Sequence, residues 1–301
     1  MLSTEIMPEY LQIEVIAGAC SANCIMCNYK ESPRKGILTL DDFSMILDKF
    51  VPYLDSQKYL SLQGLGETLL DPGIVDKVRV AKEKGFKGVG FATNATHLNA
   101  GLTEGLLAAD LDTIIFSLDG IKKDTHEQIR MVDYNQVMRN VLDFIEKRNN
   151  TGKTKIIVRM IRQESNLAEW DEYREFWQKQ LRPEFGDQVA AYDVWGQMVE
   201  EDRVNRFNRL DKWSREKKEV CPDLLKRMLL FLNGDVILCC GNMKVMGNVF
   251  DSDPRDIYNG KGFQEYREMM RQGRLTEIDE CKNCQVILSS FDKVYVDATG
   301  H

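Results

Sequence analysis

Apolar and polar residues alternate in blocks along the first two-thirds of the chain. LQIEVIA (11–17), KYLSLQG (58–64), KGVGFAT (87–93), DTIIFSL (112–118), TKIIVRM (154–160) and VAAYDVW (189–195) are short, apolar and rich in β-branched residues, as buried strands are. Longer stretches with helix start and stop signals lie between them. TLDD at 39–42 reads as a capping box ahead of FSMILDKF; Asp71 and Pro72 supply a cap and a first-turn proline before GIVDKVRVAKEKG, and Gly85 ends that helix. Further helices are predicted over about 101–109, 134–149 and 167–180. Six strands alternating with helices call for an α/β fold with a parallel sheet and right-handed crossovers, either open or closed into a full or partial barrel.

The pattern changes after residue 199. EEDRVNRFNRLDKWSREKKEV (200–220) is densely charged and reads as a solvated linker helix that ends the first domain. RMLLFL, the turn Asn233-Gly234 and DVILCC then give a hairpin, followed by a helical segment over about 261–273 and by CKNC. This divides the chain into a core over 1–199, the linker, a small C-terminal domain over 221–290 and a tail over 291–301.

Composition narrows the function. The chain has 301 residues, with 43% hydrophobic and 29% charged, and no apolar run approaches a membrane-spanning length. The N-terminus is too acidic and interrupted for a secretory signal, so a cytoplasmic location is expected. A formal net charge of −7 argues against nucleic acid as the main partner. The eight cysteines fall into two groups, Cys20, Cys24 and Cys27, then Cys221, Cys239, Cys240, Cys281 and Cys284. Clustering of this kind in a reducing compartment points to metal, not disulfides.

CSANCIMC follows the first strand directly. Three thiolates in one short loop can hold three irons of a 4Fe-4S cube and leave the fourth open for chemistry. Zinc is the alternative; it needs a fourth ligand, and His97, His126 and His301 show no ligand-like spacing. The other strand ends add GLGET with Glu67, FATNAT with Asn94, SLDG with Ser117 and Asp119, and THEQIR with Arg130. Taken singly, these are turn formers, caps or surface charges. Together they fall at the carboxyl ends of successive strands, where βα barrels build their sites.

In this set the chain resembles the radical S-adenosylmethionine (SAM) enzymes over about 11–195, with Met26 in place of the usual aromatic residue beside the third cysteine. The resemblance implies a partial (β/α)6 TIM-like barrel. It also implies a 4Fe-4S cluster on Cys20, Cys24 and Cys27, with SAM held by Glu67, Asn94, Ser117 and Arg130 and Met26 on its adenine side. SAM is then cleaved by one electron, from a flavodoxin- or ferredoxin-type donor, to methionine and a 5′-deoxyadenosyl radical.

In the second group, chemistry alone leaves a zinc ribbon and an iron-sulfur cluster both open. Residues 221–290 resemble the SPASM auxiliary-cluster extension in its shortened "twitch" form: Cys221, Gly234 five positions before Cys239, GNVF, a helix, then Cys281 and Cys284. That implies a second, fully ligated 4Fe-4S cluster. The shortened form resembles an aminocyclitol dehydrogenase, which implies oxidation of a small hydroxylated substrate of sugar or cyclitol type, with the auxiliary cluster as electron acceptor. The alternatives are an epimerase in which Cys240, the one unassigned thiol, donates hydrogen, a peptide-modifying maturase, and a plain electron carrier. Arg159, Tyr192 and Asp193 are candidates for the proton-accepting base because they lie near predicted strand ends.

Overall fold

The computed structural model describes residues 6–193, 221–282 and 294–297. The linker at 200–220, Cys284 and most of the tail lie outside them.

Each apolar block forms a strand. β1 (Tyr10–Ile13) leads into a small separate ribbon of β2 (Ile16–Ala17) and β3 (Gly36–Ile37), so the block at 11–17 splits in two. β4 (Tyr59–Leu62), β5 (Val89–Thr93), β6 (Thr113–Ser117), β7 (Lys155–Arg162) and β8 (Gln188–Asp193) follow. From β1 to β8 these six strands pair in parallel in chain order, the arrangement of a partial (β/α)6 barrel.

The crossovers carry α1 (Leu40–Phe50), α2 (Ile74–Glu83), α3 (Ala100–Ala108), α4 (Lys123–Arg130), α5 (Tyr134–Thr151) and α6 (Trp170–Gln180). At α1 the predicted cap forms, with Thr39 Oγ1 accepting the Asp42 N–H (3.1 Å), while the Asp42 carboxylate accepts the Thr39 hydroxyl (2.8 Å) and not the backbone N–H of a full capping box. The start of α2 differs from expectation: the cap is Gly73, and Asp71 lies two residues ahead of it. Asp71 instead accepts the Gly73 N–H (2.9 Å) and pairs with buried Lys77 (2.6 Å), a partner that sequence spacing did not reveal. Gly85 has φ +90°, as the predicted stop requires.

The sheet has two distinct faces. Leu60, Leu62, Val89, Phe91, Ile114, Phe116, Ile156, Val158 and Met160 join one core with Phe43, Val78, Val141 and Trp177 of the helices. The alternate residues, among them Tyr59, Ala92, Thr113, Ser117, Arg159 and Tyr192, face the inside of the barrel.

The C-terminal region extends this sheet. α7 (Pro222–Lys226) leads into β9 (Arg227–Leu230), which pairs in parallel with β1. β10 (Asp235–Ile237) and β11 (Val245–Asn248) continue antiparallel, with Gly234 at φ +83° in the expected turn. α8 (Pro254–Asn259), α9 (Lys261–Arg271) and α10 (Asp279–Lys282) complete it. Arg267 anchors α9 by donating to Leu224 O (2.9 Å) and Tyr258 O (2.6 Å). β12 (Val294–Asp297) closes the far edge against β8.

Candidate active site at the mouth of the barrel

The cysteine loop leaves β1 and is pinned from both sides by backbone. Gly18 N–H donates to Leu65 O (2.8 Å), and Glu67 N–H donates to Ala19 O (2.9 Å), which ties the loop to GLGET. Gly66 must be glycine here, because a Cβ would stand 2.9 Å from Ala19 O and 3.0 Å from Ile16 O. On the opposite side Asn23 N–H and Ile25 N–H donate to Arg130 O (3.2 Å) and Ile129 O (3.0 Å) at the end of α4. Cys20 and Cys24 are half-buried and Cys27 is exposed.

The strand-end residues converge on this loop. Asn94, buried at the end of β5, points Nδ2 at Cys20 Sγ (3.6 Å) and Ser21 Oγ (3.2 Å), while its Oδ1 accepts from Thr96 N (3.0 Å). Arg130 points Nη1 at Cys24 Sγ (3.7 Å) and donates from Nε to Asp119 (2.6 Å). Both residues are deeply buried, so Arg130 is no surface charge. Asp119 also accepts the Ile161 N–H (2.6 Å), linking β6, β7 and α4 at one carboxylate. Ser117 accepts from Arg159 Nη2 (2.9 Å). Met26 is half-buried on the loop's turn.

Glu67 is oriented differently from a freely presented acid. It is 4% exposed, and its oxygens accept from the Asn94 N–H (2.9 Å), the Leu69 N–H (3.2 Å) and the Thr93 hydroxyl. Burial raises its pKa, and those donors hold the rise back. As described, Glu67 ties the ends of β4 and β5 together beneath the cysteine loop.

Burial also raises the thiols, Cys20 to about 11, and Cys24 upward against the opposing pull of Arg130. Such thiols give up their protons to a metal when one binds. Among the described residues no three His, Cys, Asp or Glu side chains converge as for a single ion. That does not disfavour a cube, in which each thiolate has its own iron. Three thiols on a backbone-fixed loop, with Asn94 and Arg130 N–H groups aimed at two of the sulfurs, fit an iron-sulfur cluster of this kind.

The second group is less contiguous. Cys221 caps α7 and donates its N–H to Met270 Sδ (3.3 Å), and Cys239 Sγ accepts the Asn242 N–H (3.2 Å). Burial raises Cys239 to about 12, with Asp223 and Cys221 close enough to raise it further. Cys281 is the third residue of α10, where its N–H donates to Ile278 O (3.0 Å). Cys240 is separate from these. It packs against Leu229, Phe231 and Ile237, and Leu229 is in register with Gln12, on the barrel-interior side of the sheet.

Residues 15–173 match the radical SAM superfamily, more than half of the chain. The chain belongs to that superfamily. Residues 221–285 match the SPASM iron-sulfur cluster-binding domain, so this radical SAM protein carries an auxiliary iron-sulfur region. It is 30% identical over 132 residues to the AdoMet-dependent heme synthase of Methanosarcina barkeri, a match covering 43% of this chain and 36% of that one. The chain spans about a third of the length of the curated relatives it matches. In fold it is similar to BtrN in complex with AdoMet and 2-DOIA, with TM-score 0.61 and 17% identity over 92% of this chain and 93% of that one. It is also similar to SuiB of Streptococcus suis bound to S-adenosylmethionine, with TM-score 0.69 and 15% identity over 93% of this chain and 71% of that one. At these identities the likeness is one of fold.

Sequence reading of this radical SAM chain missed one junction. Glu14 is 3% exposed, and Arg34 donates to both its oxygens, from Nε (2.9 Å) and Nη2 (3.2 Å). Glu14 also accepts N–H groups of Leu65 and Leu232 (3.4 Å each), and the Arg34 guanidinium lies 3.3 Å over the Phe231 ring. One carboxylate thus joins β1, GLGET, the segment after the cysteines and the auxiliary hairpin. A lone acid inside the apolar run LQIEVIA was the available signal.

Proposed function

We propose that this protein uses SAM to abstract hydrogen from a small hydroxylated substrate of sugar or cyclitol type and oxidises it to the carbonyl compound. Cys20, Cys24 and Cys27 would hold the first cluster; Cys221, Cys239, Cys281 and Cys284 would hold a second. Bound there, the first cluster with SAM supplies the hydrogen-abstracting radical, and the second supplies an electron acceptor.

This chain's residues orient those groups. Asn94 and Arg130 hold the sulfurs of Cys20 and Cys24, Asp119 fixes Arg130, and Ser117 and Arg159 face the barrel interior, where substrate would enter. The observation that carries the reading is the parallel pairing of β9 with β1. Both cysteine regions are built on adjacent strands of one sheet, so an electron leaving a substrate in the barrel has an acceptor site on the same rigid frame. A flavodoxin- or ferredoxin-type donor would supply the initial electron.

Anaerobically reconstituted protein should contain about eight irons per chain, and with reductant it should release 5′-deoxyadenosine from SAM. About four irons plus one zinc would remove the auxiliary acceptor and sink the oxidation reading. A second reading is favoured by one observation: Cys240 packs on the barrel-interior side of β9. As an epimerase the protein would incorporate solvent deuterium at carbon, and Cys240→Ala would stop that incorporation. Peptide modification lacks an observation of this kind.

A further inference from the structure

The barrel interior holds a cation that the reading above leaves without a counter-charge. Arg159 stands on the inner face part-way along β7 and donates from Nη2 to Ser117 Oγ (2.9 Å). Its Nε is buried and has no acceptor. Among the described residues no carboxylate pairs with it. Asp119, the acid that acts on it electrostatically, is already taken by Arg130 Nε and the Ile161 N–H. Arg130 repels it. The Tyr192 ring lies 5.8 Å from its guanidinium carbon.

Tyr59 marks the same chamber lower down. Its hydroxyl is buried and has no partner, and it lies where Gly90 has no side chain; a Cβ there would be 2.7 Å from it. Arg159 acts on this hydroxyl electrostatically, so the two are near each other in the interior.

A guanidinium keeps its charge in any accessible environment, so its desolvation must be offset by an anion. Arg130 has both Asp119 and the Cys24 sulfur, while Arg159 has no carboxylate of its own on this wall. Unpaired buried donors are rare in finished interiors, and here two lie on the same, inner face of the sheet.

We propose that Arg159 is the counter-charge for a carboxylate or phosphate carried by the substrate. Ser117 fixes the guanidinium, and the Tyr59 hydroxyl provides a second hydrogen bond deeper in the chamber. The inference rests on substrate entering the barrel as proposed above, and it narrows the class to hydroxylated compounds that are also anionic.

The test uses anaerobically reconstituted holoenzyme saturated with SAM. Inorganic phosphate is titrated at constant ionic strength, and crystals of the same complex are soaked in bromide for anomalous diffraction. An anomalous peak beside Arg159 Nε is expected. Arg159→Gln should weaken phosphate by at least about tenfold, and Tyr59→Phe by about threefold. Tyr59→Phe removes a hydroxyl that bonds to nothing in the protein, so it decides the matter even if Arg159→Gln fails to fold. No peak, or variants that bind phosphate as the wild type does, would overturn the proposal. A peak present without SAM and lost with it would also overturn it, because the anion is then the SAM carboxylate. Release of 5′-deoxyadenosine by the same preparation tests the radical reading separately. Release without phosphate binding defeats this inference alone, and binding without release defeats that reading alone.

Discussion

The two cysteine regions are built on opposite plans. Cys20, Cys24 and Cys27 sit within one short loop whose backbone is hydrogen-bonded on one flank to GLGET and on the other to the end of α4. Cys221, Cys239 and Cys281 come from a helix cap, a hairpin end and a short C-terminal helix, in a region whose strand β9 joins the sheet beside β1. The first set is contiguous in sequence, and contacts within the radical SAM core order it. The second depends on long-range assembly, and the buried carboxylate of Glu14 sits at that joint.

The largest expected effect breaks the comparison at the thiols. Cys20→Ala, Cys24→Ala or Cys27→Ala should each lose about four irons per chain and abolish 5′-deoxyadenosine release. Cys221→Ala or Cys239→Ala should also lose about four irons, yet keep SAM cleavage while losing oxidised product. If a Cys239 variant stops SAM cleavage outright, the two regions are not functionally separable.

A next, smaller effect tests the joint. Glu14→Ala strands Arg34 and leaves two backbone N–H groups without their acceptor. Breaking a buried ion pair of this kind costs about 3 kcal/mol. Amide exchange should rise most at β9 and β10 and least at β6 and β7, which Glu14 does not touch. A uniform rise across the sheet would mean that Glu14 stabilises the whole fold and not the attachment of one region.

The same contrast explains what the chain revealed in advance. Six strands, their parallel order and the hairpin were legible because period two, β-branching and Asn233-Gly234 are local signals. Asn94, Asp119 and Arg130 were legible as a set at strand ends, and all three lie against the cysteine loop or support it. Pairings set by tertiary contact stayed hidden. Asp71 read as a helix cap but pairs with Lys77, Glu14 read as part of a strand, and Glu67 is enclosed by Asn94, Thr93 and Leu69. Arg159 drew notice only as a base near a strand end. Its register partner, Ser117, and its unpaired Nε emerge only once β6 and β7 are side by side.

The smallest expected effect sharpens how the first region is held. His126 of α4 is fully buried, and its Nδ1 accepts the Asp119 N–H (3.2 Å), which supports the same carboxylate that fixes Arg130. Burial lowers its pKa from 6.5 to about 4, with Arg130 adding to the shift and Asp119 opposing it. Protonation therefore favours the unfolded chain: the stabilisation is complete above pH 6.5 and is lost progressively as pH falls towards 4. Between pH 7 and 5.5 this one group should cost about 1 kcal/mol. The difference in unfolding free energy between wild type and His126→Gln should shrink by that amount over the window. A difference that stays constant with pH would mean that His126 titrates normally and that the Asp119 N–H bond does not hold it neutral.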